Sequence, residues 1–595
     1  MLTSTVINHR RHVGLQKLSA LAAITHSSLG PNKKFKFIRD EASGESALAC
    51  SCVRVLENLE LTCGVGRLVQ ETVRAHQEVY RTGAGSLLFL AGAWSRAALE
   101  CLRRGVSVTR VVSAMSEGME ACSDVCGECG VSTEGLGAAS PGLRPPEKPA
   151  VPRGAGGGET LNAAGRRKVK LSRHSYDAVD VAPPPRPERP DVAHLAAGLS
   201  HGCVDAMNLV VEAVRMQAEV GPRGAGGRAA FDVANVATCA LPGLPEDRAC
   251  VLPGCVVLVS DDRAAVARHL KGRRLKVALI TGDLSPAYRH LGFQRPRGER
   301  RVRDGARLAS GASDEEAWLE ETERRLLDLE VDLVVVGGLA DERAVRRCCR
   351  RRILVVDGAK AAVSKALASA TGAVPVAYAA QLTRRCVGVG AEAAVWREGR
   401  ASTAVNISAG ALVTAVLTSH VDAKLQALED RFWACAYRLH HALDGGVVLP
   451  GAGVTEMLCV RRLEKEAELC DESAADPYRG LVLRLMADGF VDYVATVMVN
   501  TGTFSKAGAR TALSRRLKAC AGSPGAAAHF SRLFSEDGEA RDAPAARVYD
   551  GLTVKREAWR RALDLVLLVL QTDAEVITGV DPEAVGGAEG NLMLL

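Results

Sequence analysis

The 595-residue chain has no run of 18 apolar residues, and its longest candidate, LDLVLLVLQ, is short and carries Asp564. That excludes a bilayer-spanning helix on hydropathy and predicts a buried helix instead, so no membrane insertion is expected. Aromatic residues are scarce at 4%, so Leu, Val and Ala must fill the cores. The opening stretch MLTSTVINHRRHVGLQ lacks the apolar region of a secretory leader, and the chain is expected in the cytosol. Neither sign of charge dominates. The net charge is +7, with 24% charged and 47% hydrophobic residues, the profile of a soluble globular protein. At this length one hydrophobic core is insufficient and several domains are expected.

Cysteine is the opposite case. The 18 cysteines are spread through apolar contexts, which predicts buried free thiols in a reducing compartment. Cys122, Cys126 and Cys129 in CSDVCGEC match the spacing of iron–sulfur ligands in radical SAM enzymes. The same spacing places all three on one helical face. No alternating barrel surrounds them, so a packed set is expected and no metal site. Arginine clusters in QRPRGERRVRDGAR after Phe293 and in RRCCRRR, Arg346 to Arg352. Clustered Arg neutralises phosphates, but no aromatic residues interleave for base stacking. A solvated loop and a solvated helix end are expected, and no nucleic acid partner.

Along the chain, residues 1–130 read as mostly helical. Val65, Leu68, Val69, Val73, His76 and Val79 recur at helical spacing, and Trp94, Ala98, Cys101 and Leu102 begin a similar stripe. Residues 131–190 are rich in Gly, Pro and charge and cannot bury enough apolar area to offset their ordering entropy, so a disordered insertion is expected there. Residues 191–248 are helical and then lead into a link. Residues 249–382 change to β/α alternation, with the apolar runs KVALIT, VDLVVVGG, RILVVDG and GAVPVAY between helical stretches. One of those helices opens on a Ser313/Glu316 capping box, with Leu319, Leu326 and Leu327 on one side. Residues 383–446 and 447–595 complete the chain. The last helix sets Trp559, Ala562, Leu563, Val566, Leu567 and Leu570 at helical spacing.

Three glycine turns precede helices or strands: LGPNKKFKF from Leu29, RTGAGSLLFLAG from Arg81 and LPGAGVTE from Leu449. A fourth piece, VYDGLTVKREAW, begins at Val548. A glycine turn opening a helix points backbone N–H groups at an anion, aided by the helix dipole.

These four pieces, in this order, resemble the group II chaperonin subunits of the TRiC/CCT ring. The first turn of that family, LGPxGxxKM, is matched by Leu29, Gly30, Pro31 and Lys36, but its second Gly is Lys33 here. GDGTTSVVVLAG is matched at Gly83, Ser86, Leu90, Ala91 and Gly92, while its Mg-binding Asp is Thr82. NDGATIL falls on CSCVRVL, so its Asp is Ser51. ERSxHDAL falls on DRFWACAY, where Arg431 matches and the water-activating Asp is Cys435. PGGGAxE keeps Pro450, Gly451, Gly453 and Glu456 around Ala452. Blocks from Asn8 to Asp573, such as NHRRHVGLQKLSA, GLSHG and GDLSPAYRHLGF, resemble a divergent branch of that family, the Bardet–Biedl chaperonin-like proteins.

The resemblance implies an α+β multidomain protomer of the group II chaperonin type, with helical equatorial, small intermediate and α/β apical domains. The equatorial domain would be 1–130 and 447–595, the intermediate 191–248 and 383–446, and the apical 249–382. It implies a vestigial nucleotide site at Gly30, Pro31, Lys36, Gly83, Gly85, Ser86, Gly451, Gly453 and Asp550, with no catalytic carboxylate at Ser51, Thr82 or Cys435. Phosphoryl transfer to water needs a metal and a group that orients the water, and Mg²⁺ wants carboxylates. No enzyme activity and no required cofactor are therefore expected, with weak ATP or ADP binding left open. The rival reading is an ATP-hydrolysing subunit of a chaperonin ring. The segment at the family's lid, Gly292 to Gly311, has Gly and Pro breakers and no apolar stripe, which argues against a formed lid helix. Implied partners are the other Bardet–Biedl chaperonin-like proteins, TRiC/CCT subunits and subunits of the BBSome coat, at the cilium basal body or centrosome as well as in the cytoplasm.

Overall fold

A computed structural model of the chain describes residues 4–8, 12–39, 44, 46–136, 192–220, 231–288, 314–398, 403–473, 478–519 and 548–578. Helices from both ends of the sequence make one body. Val13–Ile24, Gly64–Tyr80, Ala84–Arg103 and Val108–Glu128 share a core with Val454–Ser473, Arg479–Thr501, Lys506–Ala519 and Leu552–Gln571. The helix Ala84–Arg103 is its axis. Every residue from Leu87 to Ser95 is buried, because the helix is apolar around its whole circumference there. Trp94 meets Phe490 edge-on at 5.4 Å, and Phe490 meets Trp559 at 4.8 Å. The Trp94 indole N–H donates to the Met486 carbonyl at 3.1 Å. Gly92 lets the helix Val13–Ile24 come close, since a Cβ there would lie 2.4 Å from that of Ala22.

This base also has strands. Ser4–Asn8 pairs antiparallel with Ala574–Thr578, and Lys36–Arg39 forms a hairpin with Ser46–Ala49. Of the expected stripe residues, Val65, Val69, Val73 and His76 are buried, Leu68 is half-buried against the same core, and Val79 is exposed. In the last helix Leu567 is likewise only half-buried.

The middle body has a three-stranded sheet in which Val413–Ser419 lies between Val236–Pro242, parallel to it, and Cys250–Pro253, antiparallel. Val413–Ser419 is buried at every position. Helices Val192–Leu199, Val204–Val220 and Asp422–Gly445 complete its core. The outer body is a six-stranded sheet in the order Leu354–Val356, Leu333–Val336, Leu275–Ile280, Gly388–Glu398, Thr403–Ser408 and Cys255–Val259. The first three strands are parallel and the joins after them antiparallel. Helices Asp261–Leu270, Asp314–Asp328, Glu342–Arg350 and Ala361–Thr371 accompany it.

Four sequence expectations are corrected here. Residues 131–136 are ordered chain and not the start of an insertion: Val131–Ser132 pairs with Val447 and Val448, and the Thr133 N–H donates to the Gly446 carbonyl at 2.9 Å. The sheet around 249–382 extends further, because Gly388–Glu398 and Thr403–Ser408 supply two of its central strands, while Cys250–Pro253 belongs to the middle sheet. Those two strands form an antiparallel pair separated by only residues 399–402, too short a link for a crossover helix, so β/α alternation does not reveal them. GAVPVAY forms only an isolated bridge, Val376 to Ile280, since Pro375 lacks the ladder donor. Leu327 is exposed, whereas Leu319 and Leu326 are buried. The residues expected to be disordered beyond Leu136, the lid segment, Ser313 and the Arg-rich run after Phe293 lie outside the described residues.

The other arginine cluster lies on the helix Glu342–Arg350 and just after it. Arg347 pairs with Glu316 and with Glu323 (3.2 Å), Arg351 with Glu323 at 2.6 Å, and Arg346 with Glu342. Cys122 and Cys126 lie fully buried on the helix Val108–Glu128, facing Cys459, and Cys129 caps that helix.

Candidate functional site

A cavity of about 550 Å³ lies where the base meets the middle body. Its floor is set by turns that only open backbone can make. Gly30, Gly83 and Gly453 have φ of 80°, 86° and 78°, and Ala452 is also left-handed at 53°. A Cβ on Gly83 would come within 2.9 Å of Val554 and 3.0 Å of the His76 ring. Gly83, Gly453 and Gly551 line the cavity and each stands immediately before a helix: Ala84–Arg103, Val454–Ser473 and Leu552–Gln571. Three helix N-termini, with their positive dipole ends, therefore converge on one space.

Buried charges lie beside them. The Lys555 ammonium is 2.7 Å from Glu456 Oε1 and 2.7 Å from Asp550 Oδ2. Asp550 Oδ1 also accepts from His201 Nε2 at 3.1 Å, and the same ring nitrogen is 2.7 Å from the Tyr549 carbonyl. Although burial opposes its ionisation, Lys555 and His201 hold the Asp550 carboxyl well below the usual carboxylate range. Burial works against the Lys555 charge too, but Asp550 and Glu456 hold it well above its ordinary value. Ser86 and Tyr493 share a hydroxyl–hydroxyl hydrogen bond of 2.8 Å, and burial pushes the Tyr493 phenol up.

Of the residues expected at a vestigial nucleotide site, Gly30, Pro31, Gly83, Gly85, Ser86, Gly453 and Asp550 line this cavity, together with Lys33 and Thr82. Lys36 and Gly451 are not among its lining residues. The Lys36 ammonium donates to Ser27 Oγ at 2.6 Å, and the Gly451 N–H donates to the Val548 carbonyl at 2.8 Å. Ser51 caps the helix Cys52–Glu57, accepting from the Arg54 N–H at 3.3 Å, and its hydroxyl reaches Asp430 at 3.5 Å. Cys435 is fully buried behind the cavity wall. Its thiol donates to the Cys203 carbonyl at 3.8 Å and accepts from Arg438 Nη2 at 3.6 Å. Sequence reasoning missed His201, Cys203, Arg438, Tyr493 and Lys555. Only Lys555 left a local signal, five positions after Asp550 in VYDGLTVKREAW.

The donor set suits an anion better than a metal. Lys33 and the three helix N-termini fit a phosphate group. Mg²⁺ needs hard, charged oxygens, and here Asp550 and Glu456 are both held by Lys555, while Thr82 brings no charge. Among the described residues no group of His, Cys, Asp and Glu converges as metal ligands. The residues do not fit a Mg²⁺ site, and no step is derived through one.

The TCP-1/cpn60 chaperonin family matches residues 199–579. The chain is 35% identical to "Chaperonin-containing T-complex member BBS12" of Homo sapiens, covering 97% of this chain and 98% of that one. Its identity to the Xenopus laevis protein of the same name is 33%, covering 96% of each. It is 22% identical to "T-complex protein 1 subunit theta" of Arabidopsis thaliana, over 94% of this chain and 89% of the relative. The chain belongs to the TCP-1/cpn60 chaperonin family.

Proposed function

We propose that the chain is a chaperonin-like assembly factor that works by binding and release, without turning over ATP. The observation that carries this reading is Cys435. It stands where the family has its water-activating Asp, yet it is a buried thiol engaged with Cys203 and Arg438. A protonated thiol is a weak acceptor and a poor base. Thr82 and Ser51 add no negative charge, and Ser51 serves as a helix cap. Lys33 and the convergent helix ends support a retained phosphate-bearing ligand such as ADP or ATP, with a structural role.

In this reading the chain holds BBSome subunits until their partners cover them. It acts with the other Bardet–Biedl chaperonin-like proteins and with T-complex subunits, in the cytoplasm and at the basal body, in the service of cilium formation. The likeness to relatives named as chaperonin-containing T-complex members supports the partnership. The physical work is differential affinity: apolar surface is held while exposed and released when a proper partner buries it.

Affinity purification of the full chain from ciliated cells, read by mass spectrometry, tests the partners. T-complex and BBSome subunits are expected, and recovery of neither overturns the reading. Phosphate release by the purified chain with ATP and Mg²⁺ is expected at background. Sustained Mg-dependent release would instead support an ATP-hydrolysing ring subunit.

A further inference from the structure

Two cysteines meet at the wall of the cavity. Cys203 lines the cavity, half-buried, on the turn between helices Val192–Leu199 and Val204–Val220. Cys435 lies buried on the helix Asp422–Gly445, and its thiol donates to the Cys203 carbonyl at 3.8 Å. The groups around them are cationic. Arg438 Nη2 lies 3.6 Å from the Cys435 sulfur, Lys33 and Arg438 line the cavity, and Lys33, Arg438 and Arg431 all place positive charge near Cys203. The neighbouring Cys435 thiol, aided by those cations and opposed by burial, draws the Cys203 thiol down to about 5. The neighbouring Cys203 and burial push Cys435 up. A partly exposed thiol in a positive setting beside a second thiol is the pairing that thiol oxidants select. The turn that carries Cys203 is not fixed in regular structure: His201 and Gly202 both have positive φ, at 49° and 81°. It can yield the small shift that disulfide geometry requires.

We propose that Cys203 and Cys435 form a peroxide-sensitive dithiol site that closes to an intramolecular disulfide across the cavity wall. The Cys203 thiolate attacks a hydroperoxide oxygen, the O–O bond breaks, and the leaving oxygen takes up a proton as water (or alcohol). Cys203 becomes a sulfenic acid. The Cys435 sulfur then attacks the Cys203 sulfur, the S–S bond forms, and the sulfenic oxygen leaves as water with the Cys435 proton. Two thiols and one hydroperoxide give one disulfide and two hydroxylic products. In a reducing compartment such a bond is transient. It would tie the turn at Ser200–Cys203 to the long helix behind it. Gly202 on that turn packs against Pro31, so the tie would also fix the contact between base and middle.

The test uses the reduced full chain, exposed to stoichiometric hydrogen peroxide, blocked with N-ethylmaleimide and digested with trypsin. The peptides 174–215 and 432–438 each carry a single cysteine, Cys203 and Cys435. The expected result is a species linking these two peptides that a reductant splits. In Cys435→Ser the linked species is lost and Cys203 is captured as sulfenic acid by dimedone. Alkylation of both peptides while cysteines elsewhere oxidise would overturn the proposal, as would linkage of either to a third cysteine. Should Cys435→Ser fail to fold, Cys203→Ser removes the linked species from the turn side, and the wild-type digest alone still decides.

Discussion

Lys555 Nζ and Glu456 Oε1 lie 2.7 Å apart in a setting where Glu456 is only 1% exposed. A carboxylate that deep is tolerated because an ammonium faces it, and Lys555 serves Asp550 in the same way. Replacing Lys555 with Met removes the cation and leaves two carboxylates without it. The expected loss is about 3–5 kcal/mol, the cost of leaving buried charge uncompensated. Thermal unfolding of the variant should show a large drop, and the double change Lys555→Met with Glu456→Leu should recover part of it.

Acid should weaken the fold well before carboxylates titrate. Burial, with Arg561 nearby, lowers the His76 imidazole to about 4, and its Nε2–H donates to the Thr82 carbonyl at 3.0 Å. An unfolded histidine titrates near 6.5, at about that value in free peptides. Between those values the unfolded chain binds more protons than the folded one, so stability rises with pH there. The contribution is full above 6.5, by the reference of about that value, and is lost as pH falls toward 4. Melting temperature measured across this window should slope upward with pH. In His76→Gln the slope should flatten, and an unchanged slope would remove His76 from the account.

Gly202→Ala tests the joint between base and middle. Gly202 has φ of 81°, and a Cβ there would meet that of Pro31 at 2.5 Å. Strain and overpacking together should cost about 1–3 kcal/mol. Gly105→Ala is the matched control, because Gly105 has φ of 83° but nothing within 4 Å. Its loss should be the smaller by the packing component, measured by denaturant unfolding of both variants.

Asp430→Ala probes a second joint. Asp430 accepts from Arg54 Nε at 3.2 Å and Nη2 at 3.1 Å, joining the short helix Cys52–Glu57 to Asp422–Gly445. Both side chains are partly exposed, so the change should cost only about 1 kcal/mol or less. The difference between variant and wild type should shrink as salt is added.

Much of the base was legible because its signals are local. The stripe at Val65, Val69, Val73 and His76 and the one begun by Trp94, Ala98 and Cys101 each follow one helical period and became buried faces. The glycine turns were legible for the same reason, since a positive φ at Gly30, Gly83 and Gly453 leaves its mark in single residues. What the sequence hid were meetings between distant segments. His201 and Asp550 contact each other although hundreds of residues apart, and no periodicity encodes such a pair. The strands Gly388–Glu398 and Thr403–Ser408 were hidden differently: small residues such as Gly390 and Ala391 weaken the strand pattern, and no crossover helix announces them. Cys203 looked like one thiol among 18 until the helix carrying Cys435 was set beside it.

The shared core of the helical body bears on how the chain comes off the ribosome. Trp94 needs Phe490, and Phe490 needs Trp559, to bury their rings. The amino-terminal helices emerge hundreds of residues before their packing partners exist, with apolar faces uncovered in the interval. The nascent first segment is thus itself an unprotected client, dependent on sheltering hands until synthesis nears its close.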